Sequence, residues 1–124
     1  AQAAMLAQRL AALSGATAVG AGAIGAHALP ARLRKRGLED AEVAAYTKIF
    51  ETGNRYHLAH AVVLLLAPYS RQKALTAGLL ASGQAIFAGS LYAVAEAGSR
   101  DNVAAKAAPV GGGLLILGWL SFAL

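Results

Sequence analysis

The chain contains no cysteine, only three prolines, and few charged or aromatic side chains. Without cysteine there can be no disulfide, thiolate metal centre or cysteine nucleophile, and the redox compartment stays open. Charged residues make up 14% of the chain, whereas soluble domains average about a quarter. Aromatic residues make up 6% and do not interleave with the basic ones, so the net charge of +5 does not describe a nucleic-acid surface. Seven of the eleven basic residues lie between Arg32 and Arg71, a distribution that suits positive charge beside anionic lipid.

What the chain does contain is four stretches free of Asp, Glu, Lys and Arg. They are Leu10–Leu29, Tyr56–Ser70, Ala74–Ala95 and Ala107–Leu124, of 20, 15, 22 and 18 residues. As helices they would be about 30, 22, 33 and 27 Å long, against a hydrocarbon core of about 30 Å. A water-soluble domain of 124 residues has no core large enough to bury four such segments. The expectation is an all-α integral membrane protein, a single-domain four-helix up-down bundle with spans near 10–29, 54–69, 74–95 and 107–124. Arg9, the apolar run and Ala26-His27-Ala28 imitate a secretory leader, but Leu10–Leu29 is longer than a leader core and is expected to be a first transmembrane helix.

Small residues recur at four-residue spacing along these runs, as in Ala18/Gly22/Ala26, Ala21/Gly25, Gly78/Ser82 and Ala85/Gly89. Such spacing lets helix backbones approach closely in lipid. Gly22, Gly25, Gly78, Gly89, Gly111 and Gly112 are therefore the expected helix-packing positions. Pro30 is expected to end the first helix, and Pro109 to sit in the first turn of the fourth, where its missing N–H costs little. An amphipathic interfacial segment is expected over 39–53, capped by Asp40 and continuous with the second span. Tyr46, Phe50, Gly53, His57, His60 and Leu64 share one arc at 100° per residue, with Lys48, Glu51 and Arg55 opposite.

An up-down order puts Tyr56 and Tyr92 at one membrane face, and Tyr69 and Trp119 at the other. Eight of the eleven basic residues then lie on the side of the Arg32–Arg55 connection, which the positive-inside rule assigns to the cytoplasm or matrix. Arg32, Arg34, Lys35 and Arg36 are the expected lipid-headgroup contacts.

Gly25-Ala26-His27-Ala28, Asn54-Arg55-Tyr56-His57-Leu58-Ala59-His60 and Phe87-Ala88-Gly89-Ser90-Leu91-Tyr92 occur in that order. Pro109-Val110-Gly111-Gly112 and Leu117-Gly118-Trp119-Leu120 follow. In this order they resemble the transmembrane protein 256 family and its bacterial relatives, a small membrane domain of unknown function. The resemblance covers nearly the whole chain. It implies a four-helix membrane protein and, for eukaryotic members, mitochondria; it implies no reaction and transfers no catalytic residue.

Little else in the sequence carries chemistry. The glycine runs lack a P-loop lysine and a preceding strand, and no serine stands in a G-x-S-x-G context. His27, His57 and His60 are the only reactive set, expected near one membrane level. Three convergent imidazoles suit a metal, a haem or a quinone headgroup, but no fourth ligand accompanies them. Interhelical hydrogen bonding is the reading preferred for them and for Gln84. The functional expectation is a non-catalytic accessory or assembly subunit of a larger, respiratory-type membrane complex, without cofactor, metal or nucleic-acid partner. Its expected partners are lipids and other membrane subunits, and its expected site is the mitochondrial inner membrane, with a bacterial inner membrane as the alternative. The rival is a small pore, carrier or redox site built on the three histidines.

Overall fold

The computed structural model describes all 124 residues, and they fold into four long helices with no strand. Helix α1 runs Gln2–Lys35, α2 Asp40–Leu64, α3 Lys73–Ala97 and α4 Val103–Ser121. Helices α1, α3 and α4 are long and apolar enough to cross a membrane, by length and composition. Helix α2 does not belong to that set, because Asp40, Glu42, Lys48, Glu51 and Arg55 all fall within it.

Pro30 does not end α1. The helix widens into a π-turn over Ile24–Ala28, where the Leu29 N–H reaches the Ile24 carbonyl, and then continues as Leu29–Lys35. A proline removes one ladder hydrogen bond and crowds the preceding turn, and a π-turn just before it is where the ladder absorbs both. The stop comes seven residues later, at Gly37. Gly37 has φ 92°, its N–H donates to Arg34 O at 2.9 Å, and Leu38 N–H donates to Leu33 O at 3.2 Å. This is a Schellman stop, which needs a left-handed residue that glycine adopts without strain.

Helix α2 is one unbroken element, so the 39–53 segment runs on into the second span without a break, as expected. Its cap is Glu39, not Asp40: the Glu39 and Glu42 side chains reciprocally accept from each other's backbone N–H groups. The expected arc is the one that packs inward, with Phe50, Gly53, His60 and Leu64 buried and Lys48, Glu51 and Arg55 exposed. The helix stops at Leu64, and a 3-10 turn over Ala67–Tyr69 carries Pro68. Helix α4 starts earlier than expected. The Asn102 side chain caps it by accepting from Ala105 N at 3.1 Å, which leaves Pro109 inside the helix and not in its first turn.

Two apolar clusters hold the helices together. Ala7, Ala11, Leu64, Ala77, Leu80 and Leu115 form one, and Leu29, Leu33, Val43, Phe50 and Ala95 form the other. Along each of α1, α2 and α3, the polar residues of the candidate site fall between them. Helix α4 packs on α3 through single glycines set against bulky residues. A Cβ on Gly83 would stand 2.9 Å from Leu115 N, and one on Gly118 would stand 2.8 Å from Leu80 Cδ2.

The basic run after α1 is only partly available to other partners. Arg32 pairs with Glu96, and Arg36 donates to the Glu96 and Ala97 carbonyls at the C-terminus of α3, the latter at 2.8 Å. Cations there satisfy orphan carbonyls and suit the helix dipole. Arg34 reaches Asp40 at 3.4 Å, and Lys35 makes neither ion pair nor hydrogen bond. Because the Arg32 and Glu96 side chains are 46% and 40% exposed, solvent screens the pair. Glu96→Gln should therefore change stability by less than about 1 kcal/mol, read as the midpoint of detergent-induced unfolding. A larger loss would mean that the pair anchors the end of α3.

Candidate functional site

The site is a polar seam where α1, α2 and α3 meet, built by residues one or two turns apart. Ser14, Thr17 and the Ala18 carbonyl come from α1, Asn54 and His57 from α2, and Gln84 and Tyr92 from α3. Ser14 Oγ donates to Gln84 Oε1 at 2.7 Å. Asn54 Nδ2 donates to Ala18 O at 2.7 Å and to Tyr92 Oη at 3.2 Å. Tyr92 Oη and His57 Nδ1 are 2.9 Å apart.

Donor and acceptor capacity then determines the His57 tautomer. With Asn54 donating to the phenol oxygen, the phenol hydrogen is free for His57 Nδ1, so the ring hydrogen sits on Nε2. Nε2 has Thr17 Oγ1 at 3.4 Å and the Ser14 backbone as a second hydrogen-bonding neighbour. The Thr17 hydroxyl spends its own hydrogen on Leu13 O or Ser14 O, at 2.9 and 3.0 Å, so it can only accept from the ring. His60 has the opposite tautomer. Trp119 Nε1, a donor only, reaches His60 Nε2 at 3.1 Å, so Nδ1 carries the hydrogen and donates to Tyr56 O at 2.7 Å.

The three histidines therefore do not converge. His27 is exposed and makes no hydrogen bond, His57 turns toward α1 and α3, and His60 turns toward α4. Residues three apart on a helix differ by about 60° in direction, enough to send the two α2 rings to different neighbours. No group of three or more His, Asp or Glu is arranged to hold a metal. A site made jointly from His27, His57 and His60 is thereby overturned.

The packing glycines divide in the same way. Gly22 lies under Asn54, Gly25 under Phe50, and Gly111 against Phe87, while Gly112 is in ordinary contact with the Phe87 ring at 3.6 Å. Gly78 and Gly89 are corrected: nothing lies within 4 Å of a Cβ on either, so no helix of this chain packs there. The Tyr92 hydroxyl belongs to the interior seam.

Beside the seam is a cleft of about 260 Å³. Ser14, Thr17, His57 and Gln84 supply its polar lining, and Leu10, Leu13 and Leu64 its apolar walls. Sequence reasoning found Gln84 and His57 but missed Ser14, Asn54 and Tyr92. The usable signal was a carboxamide at Asn54, one turn after buried Phe50 and beside buried Gly53.

Residues 21–112 match the family described as Protein of unknown function (DUF423). The chain belongs to this family. Among its relatives is the UPF0382 membrane protein YwdK of Bacillus subtilis (strain 168), 30% identical over 118 residues that cover 90% of this chain and 87% of the relative. A UPF0382 membrane protein of Staphylococcus epidermidis (strain ATCC 12228 / FDA PCI 1200) is 36% identical over 116 residues, covering 90% and 86%. Another, from Haemophilus influenzae, is 33% identical over 119 residues, covering 92% and 87%. No solved structure matches the chain. These bacterial membrane proteins fit the resemblance to the transmembrane protein 256 family. With three helices able to cross a bilayer, the chain is a membrane protein.

Proposed function

We propose that the chain is a non-catalytic, multi-pass integral membrane protein acting as a small accessory or assembly subunit of a larger membrane complex. Its helices would form an up-down-up-down transmembrane bundle. In support, numbers rise on one helix as they fall on the next in the contact pairs Ala18–Asn54 and Gly25–Phe50, Gly53–Leu91 and Tyr56–Phe87, and Leu80–Gly118 and Gly83–Leu115. The N-terminal part of α2 would lie among the headgroups, with Lys35 and Arg34 the basic side chains best placed to meet lipid. The positive-inside rule would put the Arg32–Arg55 connection in the cytoplasm. The bacterial sources of the relatives favour a bacterial cytoplasmic membrane over the mitochondrial inner membrane.

The observation that carries the subunit role is the outward stripe of α3. Gly78, Ser82, Ala85 and Gly89 are all exposed. A helical glycine costs about 1 kcal/mol relative to alanine, and at Gly78 and Gly89 no contact within the chain offsets that cost. In lipid, such stripes serve close approach by another helix. Respiratory-type complexes are the first hosts to examine. The tagged chain, extracted in mild detergent, should migrate on a native gel with a large assembly, and Gly89→Leu should release it without loss of helicity. Migration of the unaltered chain alone or as a small homo-oligomer would defeat the reading.

A further inference from the structure

We propose that the cleft between α1, α2 and α3 binds the carbonyl end of a membrane-dissolved amphiphile, received by the N–H donors of Gln84 beside His57. Gln84 is only 4% exposed, yet its amide nitrogen makes no hydrogen bond; Ser14 occupies the amide oxygen alone. That nitrogen carries two hydrogens on a side chain that lines the cleft. His57 lines the same cleft, but its Nε2 hydrogen already has Thr17 Oγ1 and the Ser14 backbone as neighbours, so the free donors are those of Gln84.

A donor that faces a cleft inside a bilayer without an acceptor is costly, because water there does not compensate. Two such hydrogens line the cleft, while the Gln84 oxygen is already spoken for. The complementary ligand group is an oxygen that accepts and need not donate. No cationic side chain lines the cleft, which disfavours a carboxylate and favours a neutral carbonyl. The apolar walls and the exposed Leu13 and Ala85 suit an apolar body that enters sideways from the membrane. A ring carbonyl of a quinone and the ester carbonyl of an acyl lipid share this chemistry. The proposal rests on the cleft and on the membrane setting, not on the subunit role.

The test uses the purified full-length chain in detergent micelles. The 1H–15N signals of the Gln84 carboxamide and of His57 Nε2 are followed during titration with decylubiquinone, ethyl decanoate or decylbenzene. Decylbenzene has a ring and chain but no carbonyl. Saturable shifts are expected with at least one carbonyl probe, at an affinity at least tenfold tighter than for decylbenzene. Binding of decylubiquinone alone identifies a quinone, binding of ethyl decanoate alone an acyl ester, and binding of both the shared carbonyl. Gln84→Leu should weaken the bound probe about tenfold, the consequence of losing two donors. Ala85→Phe, a change on the exposed rim, should block the cleft while leaving the core and helicity intact. The proposal fails if neither carbonyl probe saturates, if decylbenzene binds equally, or if Ala85→Phe binds as the unaltered chain does.

Discussion

Adding one methyl group at Gly111 should weaken the α3–α4 interface by about 3 kcal/mol, the upper end of what overpacking costs. The reason is what the methyl would meet. A Cβ there would press on the Phe87 backbone, 2.7 Å from its Cα and nearer still to its N. Backbone inside a helix cannot rotate away as a side-chain tip can, so α4 itself must move. The two following glycines are internal controls. At Gly112 a Cβ would rest 3.6 Å from the Phe87 ring, and at Gly113 it would meet nothing within 4 Å. Gly112→Ala should therefore be near neutral, and Gly113→Ala should stabilise by up to about 1 kcal/mol through helix propensity. The check is the midpoint of SDS-induced unfolding in mixed micelles, followed by helicity. Three equal effects would mean that the close approach at Gly111 does not exist.

That contrast shows how far the glycine pattern could be read in advance. Small residues at four-residue spacing identify a helix able to pack closely, not the face that does so. Gly78/Ser82 and Ala85/Gly89 fit the pattern and face outward. Gly83 and Gly118 were missed because each opposes one large residue, Leu115 and Leu80, an arrangement that leaves no small-small repeat. Helix interiors were legible, since charge-free runs have one physical explanation in a chain this apolar. Helix ends were not. Pro30 should stop a helix by its local chemistry, but one widened turn absorbs it, and the fourth helix, expected from 107, begins at Val103 under an Asn102 cap.

The candidate site was half visible for a similar reason. Gln84 stands out because a carboxamide amid apolar residues must find a partner. Its partner Ser14 does not, because a serine in a helix can bond to its own backbone and needs no neighbour. Tyr92 was assigned to a membrane face because tyrosine favours such levels. Its two hydrogen-bonding neighbours, Asn54 and His57, both lie on α2 and can be found only once α2 and α3 are brought together.

Asn54 yields the second large effect. Asn54→Ala removes two interhelical hydrogen bonds, to Ala18 O at 2.7 Å and to Tyr92 Oη at 3.2 Å, and leaves a void. In membranes each such bond averages about 0.6 kcal/mol, with a maximum near 1.7, so the total loss should be about 2 kcal/mol. The sharper consequence concerns Gly22. A Cβ there would stand 3.0 Å from Asn54 Oδ1, and the amide, held by two partners, has little freedom to yield. Gly22→Ala alone should therefore destabilise by about 1 kcal/mol, the strain of overpacking outweighing the gain in propensity. In the Asn54→Ala background the obstacle is gone and only the propensity remains. There Gly22→Ala should stabilise, and the two changes should couple by about 1–2 kcal/mol, as contacting residues do. Additive effects in that double-mutant cycle would show that Gly22 is not glycine on account of Asn54.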